Sequence, residues 1–331
     1  MQLGAVVLIP PTLPNESHHP PRGDRAGSSV QPLPLWPVVG RNLVQEWINR
    51  IRRVGVEVLS ITHRAHSLGP DPALGLARNG VEQFLVISLQ SYAEIDLLDF
   101  LRYHRERRST ATAAFNQDGP LGVEVLSRTS LTFNHAAAWN VPADNVRTSE
   151  YRFDGYAKHL RSAKGYRDLV TDALSRQCAL TPRGSQFGPA TWVSENAKIG
   201  RGVRFDGPCF VGSDTILHEG VTLGPFTSVE DGCVIECGTM IEGSTVLPQT
   251  FLGAGLSVRR AVVDGSQLEQ LDSGIVADLA SSGLARRLPL RGKANLEHDG
   301  GRRGCFLDMQ PSHNGTAARN TICAQDLASA P

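Results

Sequence analysis

Four kinds of side chain in this sequence could do chemistry. In the first half, Glu94, Asp96, Asp99 and Asp154 could hold a hard cation, since carboxylate oxygens are its ordinary ligands. In the second half His218, between Leu217 and Glu219, could act as general base on an acyl acceptor. Cys233 and Cys237 lie four residues apart, but no histidine or second cysteine pair completes a zinc set, so no metal site is expected. Arg102, Arg105, Arg107 and Arg108 with His104 form a basic run able to attract an anion. Each candidate has a plainer reading. Asp96 stands just before an apolar-periodic segment, where it would cap a helix. Asp154, followed by Gly155, fits a turn. His218 fits a solvated corner, and cations at a helix end are favoured by the backbone dipole alone.

Composition excludes whole classes of partner. The 33 Lys+Arg balance 33 Asp+Glu and the isoelectric point is near 7.1, so nothing electrostatic points to nucleic acid or a membrane surface. Only Lys158, Lys164, Lys198 and Lys293 are lysines, which leaves few candidates for a lysine-dependent phosphate site. At 40% hydrophobic and 20% charged residues the chain reads as a soluble globular protein. No apolar run nears the roughly 20 residues of a membrane helix, and Gly4 to Ile9 is too short for a signal sequence. Six cysteines in 331 residues suggest a reducing compartment, so the expected location is the cytoplasm.

The elements that must position these residues fall into two halves. The second carries a six-residue period: Val193, Ile199, Phe205, Val211, Leu217, Leu223, Val229, Ile235, Ile241 and Leu247 open ten hexads across residues 193 to 252 without an insertion. Four positions later comes a compact residue, Ala197, Val203, Cys209, Thr215, Val221, Thr227, Cys233, Thr239 or Thr245, until Phe251 departs from the rule. A helix has period 3.6 and a strand period 2, so a sustained six predicts a parallel β-helix, one short strand and one corner per hexad. Gly200, Gly212 and Gly224 stand at corners where a Cβ would restrict the turn. Such a prism needs caps. A helical segment from Tyr156 to Leu180 connects it to the first half or covers its first coil. A short helix over Ser273 to Arg287 and a disordered Gly/Arg-rich tail follow it.

The first half alternates strands and helices: strands at Ala5 to Ile9, Val56 to Thr62, Phe84 to Ser88, Ala111 to Phe115 and Gly122 to Ser127, helices at Leu43 to Val54 and Ile95 to Arg108. That order predicts a mostly parallel sheet covered by helices. Pro10 to Pro34, with seven prolines, is a long irregular loop. The expected domains are 1–155 (α/β), 156–187 (helical linker or cap), 188–268 (β-helix) and 269–331 (short helix and tail).

The segment Leu35-Trp36-Pro37-Val38-Val39-Gly40-Arg41-Asn42-Leu43, followed by Trp47 to Val56, resembles sugar nucleotidyltransferases, in which a Lys-Pro-Leu-Leu-Pro-Val-x-Gly turn leads into a helix ending in Gly-Val. Leu85-Val86-Ile87, then Ile95-Asp96-Leu97 and Phe100-Leu101, is similar to the strand and helix around that family's metal site. Mannose-1-phosphate guanylyltransferases of this family often carry a left-handed hexapeptide β-helix after the catalytic domain. The resemblance implies a shortened nucleotidyltransferase-like α/β domain followed by a left-handed β-helix.

The sequence departs from that family at four elements. Its glycine-rich phosphate loop is replaced by Pro10-Pro11, which removes two N–H donors. Its lysine corresponds to Leu33, and the Gly-Asp that binds Mg²⁺ corresponds to Leu89-Gln90. Arg64 to Gly80 is too short for the base-recognising segment. Asp96 matches a position near the metal-bearing strand, and Asp154-Gly155 matches the second metal aspartate loosely. The expectation is a catalytically impaired relative with a regulatory or scaffolding role in nucleotide-sugar or polysaccharide synthesis. It would need no cofactor, with Mg²⁺ only if residual transfer persists. Its partners would be a second copy, an active nucleotidyltransferase or a sugar nucleotide, and neither nucleic acid nor membrane. Two alternatives stay open: a hexapeptide acyltransferase using His218, and a residual nucleotidyltransferase with a rebuilt site.

Overall fold

The computed structural model describes residues 3–9, 33–63, 80–128, 147–289 and 306–308. Pro10-Pro11, most of the Pro10-to-Pro34 loop, Arg64 to Asn79 and nearly all of the Gly/Arg-rich tail lie outside the described residues. The chain forms two units, one of the chain up to Trp36 with Asn42–Tyr166, the other of Pro37–Arg41 with the chain from Arg167 onward.

In the first unit, strand β1 (Leu3–Ile9) is an unbroken apolar run and is buried along its whole length, as a central strand covered on both faces must be. Ala5, Val7 and Ile9 pack with Leu85 and Ile87, while Val6 and Leu8 pack with Phe84 and Val86 on the other face. Strands β2 (Val58–His63) and β3 (Gln83–Ser88) flank β1 in parallel. Helix α1 (Leu43–Arg53) starts where the Asn42 side chain accepts the Gln45 N–H at 3.2 Å, and buries Leu43, Trp47, Ile48 and Ile51. Helix α2 (Leu97–Glu106) buries Leu97, Phe100, Leu101 and His104.

The sheet is mostly parallel, as expected, with one reversed strand, β6 (Gly119–Ser127). Its order is β2-β1-β3-β6-β5-β7, with β5 spanning Ala111–Asn116, β6 Gly119–Ser127 and β7 Thr148–Arg152. β6 runs antiparallel to both β3 and β5. The cause is the turn Asn116-Gln117-Asp118-Gly119, where the Asn116 side-chain oxygen accepts the Asp118 N–H at 2.9 Å. So short a connection can only make a hairpin, because a parallel crossover needs a dozen residues or more. A ribbon of β4 (Ser91–Ala93) and β8 (Ala157–His159) completes the unit. The span expected to be a helical linker therefore opens with a strand, and its helix is α3 (Ala163–Leu174).

The second unit is a three-faced parallel β-helix. One face stacks Thr191–Val193, Cys209–Val211, Thr227–Val229, Thr245–Val246 and Ala261–Asp264, and each other face stacks four parallel strands. Four coils and the start of a fifth, at about 4.8 Å each, make a prism about 20 Å tall. Val211, Leu217, Leu223, Val229, Ile235 and Ile241 are fully buried inside it. The compact residues four places later are buried too, and three of the threonines reach the next coil's backbone: Thr215 Oγ1 donates to the Glu230 carbonyl (3.0 Å), Thr227 to Ile241 (3.0 Å) and Thr239 to Gly253 (2.7 Å). The position thus favours residues that are small and, when polar, able to bond across a coil.

Two expectations about the repeat are corrected. The period slips by one residue after Ile241: Val229 pairs with Val246 and Ile235 with Leu252, so Val246 opens the tenth hexad in place of Leu247. With that slip Thr250, not Phe251, occupies the compact position and is fully buried, and the rule holds. Two of the corner glycines, Gly200 and Gly212, are also required for a different reason. At Gly212 a Cβ would lie 2.5 Å from the backbone of Glu230 and Asp231, so the neighbouring coil, not the local φ, excludes a side chain.

The expected helix over Ser273 to Arg287 is reduced to one 3₁₀ turn, Ala280–Ser282. Gly274 and Gly283 both take φ +66°, which ends any helix there. Val276–Asp278 instead pairs antiparallel with Gln267–Gln270, and Ala285–Arg287 with Thr250–Leu252. These strands cap the open end of the prism. At the other end Ser185–Gly188 pairs antiparallel with Thr191–Val193, and Phe306–Asp308 with Lys198–Gly200.

Candidate functional site

In an open α/β sheet, ligands bind beyond the carboxyl ends of the parallel strands. At the end of β3 stand Leu89, whose side chain is buried, and Gln90, which is exposed. The Leu89 N–H donates to the Leu8 carbonyl at 3.0 Å and the Gln90 carbonyl accepts the Leu160 N–H at 2.7 Å. Arg50 then fixes the connection from β4 to α2, donating to the carbonyls of Ala93 (2.6 Å) and Ile95 (2.5 Å). Its guanidinium lies 4.1 Å from the Trp47 ring centroid, a cation–π contact that holds the fork flat.

That connection delivers Asp96 as the N-cap of α2. Its Oδ1 accepts the N–H groups of Leu98 at 2.9 Å and Asp99 at 3.3 Å, which is the capping role its position suggests. Asp154 is exposed between β7 and β8. The β4–β8 ladder pairs Ala93 with Ala157, and the Glu94 N–H donates to the Tyr156 carbonyl, so Asp96 and Asp154 emerge at the same end of the ribbon. Asp99 accepts from the Tyr151 hydroxyl at 2.6 Å and from Arg102. The Tyr151 bond first, then Arg102, holds its carboxyl below the usual range. Among the described residues, this unit gathers no group of three His, Cys, Asp or Glu ligand atoms. With a neutral amide at Gln90 and one oxygen of Asp96 taken by two N–H groups, these donors do not fit Mg²⁺.

The basic run does not act as one patch. His104 is 1% exposed and sits between Thr112 Oγ1 (2.8 Å) and Ser127 Oγ (3.3 Å). Burial, then Arg105, lowers its pKa. Arg102 is engaged with Asp99, and Arg107 stacks on Tyr103.

The second unit holds a fully buried carboxylate, Glu230. It follows the inward Val229. Its Oε2 accepts the Gly40 N–H at 2.9 Å and its Oε1 the Ser228 hydroxyl at 2.6 Å. Gly40 belongs to a two-residue turn in which Val38 and Arg41 exchange N–H···O bonds of 2.9 Å. Val39 and Gly40 take φ +46° and +77°, values that cost a β-branched residue strain and suit glycine. A Cβ on Gly40 would lie 2.7 Å from Phe210 Cζ. Burial pushes the Glu230 carboxyl up to about 8, against the opposing bonds from Ser228 and Gly40. Sequence held half the signal: Val-Gly ahead of a capped helix marks the turn, but nothing local marks its partner.

His218 lies half-buried on a coil corner, with Nε2 3.8 Å from Glu236 Oε1. A histidine beside a carboxylate suits general-base work, yet no long loop leaves the stack between Thr191 and Asp264 to enclose an acyl donor. Cys233 and Cys237 do not converge. The Cys233 thiol is buried in the prism, 3.2 Å from the Leu247 carbonyl, and burial raises its pKa, while Cys237 is exposed.

No family model and no curated protein matches the chain. Among solved structures, HddC from Yersinia pseudotuberculosis is similar over 51% of this chain and 98% of its own, at 14% identity and TM-score 0.37. The same protein complexed with GMP-PN covers 50% and 98%, at 12% identity and TM-score 0.38. A Bacillus anthracis protein provisionally described as a glucose-1-phosphate thymidylyltransferase, in complex with a sucrose, covers 57% and 98% at 11% identity and TM-score 0.39. Among the described residues no helix is long and apolar enough to cross a membrane.

Proposed function

We propose that this chain is a sugar-nucleotidyltransferase-like protein that has lost, or largely lost, nucleotidyl transfer and acts as a regulatory or scaffolding subunit in nucleotide-sugar synthesis. The observation that carries the reading is the carboxyl end of β3: Leu89 and Gln90 stand where the resemblance calls for a metal aspartate, and Asp96 is occupied as a helix cap. Transfer of a nucleotidyl group relies on a cation to neutralise charge on the phosphates. Leu33, in place of a lysine, removes a second source of that charge. Losing one such group commonly costs about 10²- to 10³-fold in rate, so losing several leaves little turnover. The segment that remains intact is the turn 37–41 of the family-like motif, held by Glu230.

A thermal-shift panel on the full chain tests this, using nucleoside triphosphates, nucleotide sugars and acyl-CoAs with and without Mg²⁺, beside a pyrophosphate-release assay. Binding to the native state alone raises the melting temperature. The expected result is stabilisation by a nucleotide sugar with negligible pyrophosphate release. Release at about 1 s⁻¹ or faster overturns the impairment and directs attention to Asp96 and Asp154. Stabilisation by acyl-CoA alone replaces this reading with acyl transfer at His218.

A further inference from the structure

We infer that His218, Glu236 and Cys237 form a binding site for a divalent transition metal of the zinc class, on the corner between two coils of the β-helix. Their ligand atoms all lie within 4.8 Å of one another, and His218 Nε2 is 3.8 Å from Glu236 Oε1. In a tetrahedral zinc site with bonds of about 2.0 to 2.3 Å, ligand atoms stand roughly 3.3 to 3.8 Å apart. Side-chain rotation of about 1 Å therefore closes the set, with no backbone movement. One imidazole nitrogen, one carboxylate oxygen and one thiolate sulfur match zinc's mixed preference, whereas Mg²⁺ and Ca²⁺ ask for oxygen alone.

The backbone supporting the three residues is fixed. Leu217 pairs with Ile235 on adjacent coils, which places His218 beside Glu236. The His218 N–H donates to the Ile235 carbonyl at 2.9 Å, and the Glu236 N–H to the Leu252 carbonyl at 2.9 Å. The Gly238 N–H, bonded to the Glu219 carbonyl at 2.9 Å, anchors the corner that carries Cys237. The same pairings put Gly200 before His218 and Gly253 after Glu236 in this column. Backbone crowds the Cβ positions of both glycines, Leu217 to Glu219 at Gly200 and Leu284 at Gly253, so neither adds a side chain beside the His–Glu pair, and a water would complete the coordination. Three protein ligands leave a fourth position for that water, the pattern of an open rather than a closed zinc site. The carboxylate and the thiolate supply the negative charge that a divalent ion neutralises. This inference does not depend on the nucleotidyltransferase reading, because all three ligands lie in the β-helix.

Cobalt(II) is the probe, since its thiolate complexes absorb by charge transfer and its visible bands report coordination geometry. Chelator-treated full-length protein titrated with Co²⁺ should bind one equivalent, with a thiolate charge-transfer band and intense tetrahedral bands that Zn²⁺ bleaches. Cys237→Ser should abolish the charge-transfer band, while Cys178→Ser keeps it. His218→Ala and Glu236→Gln should each weaken Co²⁺ binding by more than the ~10-fold that loss of an outer-shell partner costs. His218→Gln replaces His218→Ala if the latter does not fold. Zn²⁺ should raise the melting temperature of the parent and not that of the His218 variant. Absence of the band in the parent overturns the site, and so does a band that survives Cys237→Ser or an affinity unchanged by the His218 variant.

Discussion

Single residues separate by whether their partner is near in sequence. Asp96 was legible, because a cap needs only the N–H groups two and three residues on. His104 was not: beside four arginines it reads as part of a cationic run, and only the fold places it between Thr112 and Ser127. Glu230 was invisible, because the Gly40 N–H it accepts lies 190 residues away. Its protonation carries a prediction. Its folded pKa of about 8 stands above the ordinary 4.5, so between these values the folded state holds a proton that the unfolded state has released. Stability is then fully present below the ordinary value and falls as pH rises toward the folded one. In Glu230→Gln the amide can donate to Ser228 while its oxygen accepts from Gly40, and nothing titrates. Urea unfolding at pH 5 and pH 8 should show the loss in the parent and a much flatter response in the variant. Equal pH dependence in the two proteins would place the titration elsewhere.

Elements were legible in proportion to how local their cause is. The hexad period reads directly because every coil repeats one instruction, an aliphatic residue inward and a compact one four later. Its one-residue slip after Ile241 was hidden because Val246 and Leu247 are both aliphatic and both buried. Only the pairing of Val229 with Val246 distinguishes them. The caps were misread as helix because their strands are set by the exposed edge they cover, Thr250–Leu252, and not by their own composition. The mostly parallel sheet was legible, and only its one reversed strand, β6, was not, through one turn, Asn116 to Gly119. Leu223 tests the prism itself, lying fully buried between Phe205 and Ile241. Leu223→Asp puts a charge where no partner exists and should cost on the order of 4–5 kcal/mol, enough to unfold the second unit. An unchanged melting profile would remove the interior assignment.

At the scale of the whole chain, titration is offset within the first unit and one-sided in the second. In the first, burial lowers the pKa values of His104 and His159 from 6.5 and raises Glu124 to about 7 from 4.5. A neutral buried histidine loses stability as pH falls below 6.5, since the unfolded chain takes up the proton first. A protonated buried glutamate loses stability as pH rises from 4.5 to about 7. Between pH 4.5 and 6.5 these slopes have opposite signs and offset one another. In the second unit Glu230 loses stability toward pH 8, and Asp231, raised by burial, acts in the same direction. Scanning calorimetry from pH 5 to pH 8 should therefore resolve a second-unit transition that falls with pH beside a first-unit transition that moves much less. Leu223→Asp identifies which is which, by deleting the second-unit peak. Glu230→Gln should flatten the falling transition and leave the other in place. A single transition, or two that move together in both proteins, would show that the chain melts as one cooperative body and that its charge balance must be counted over both units at once.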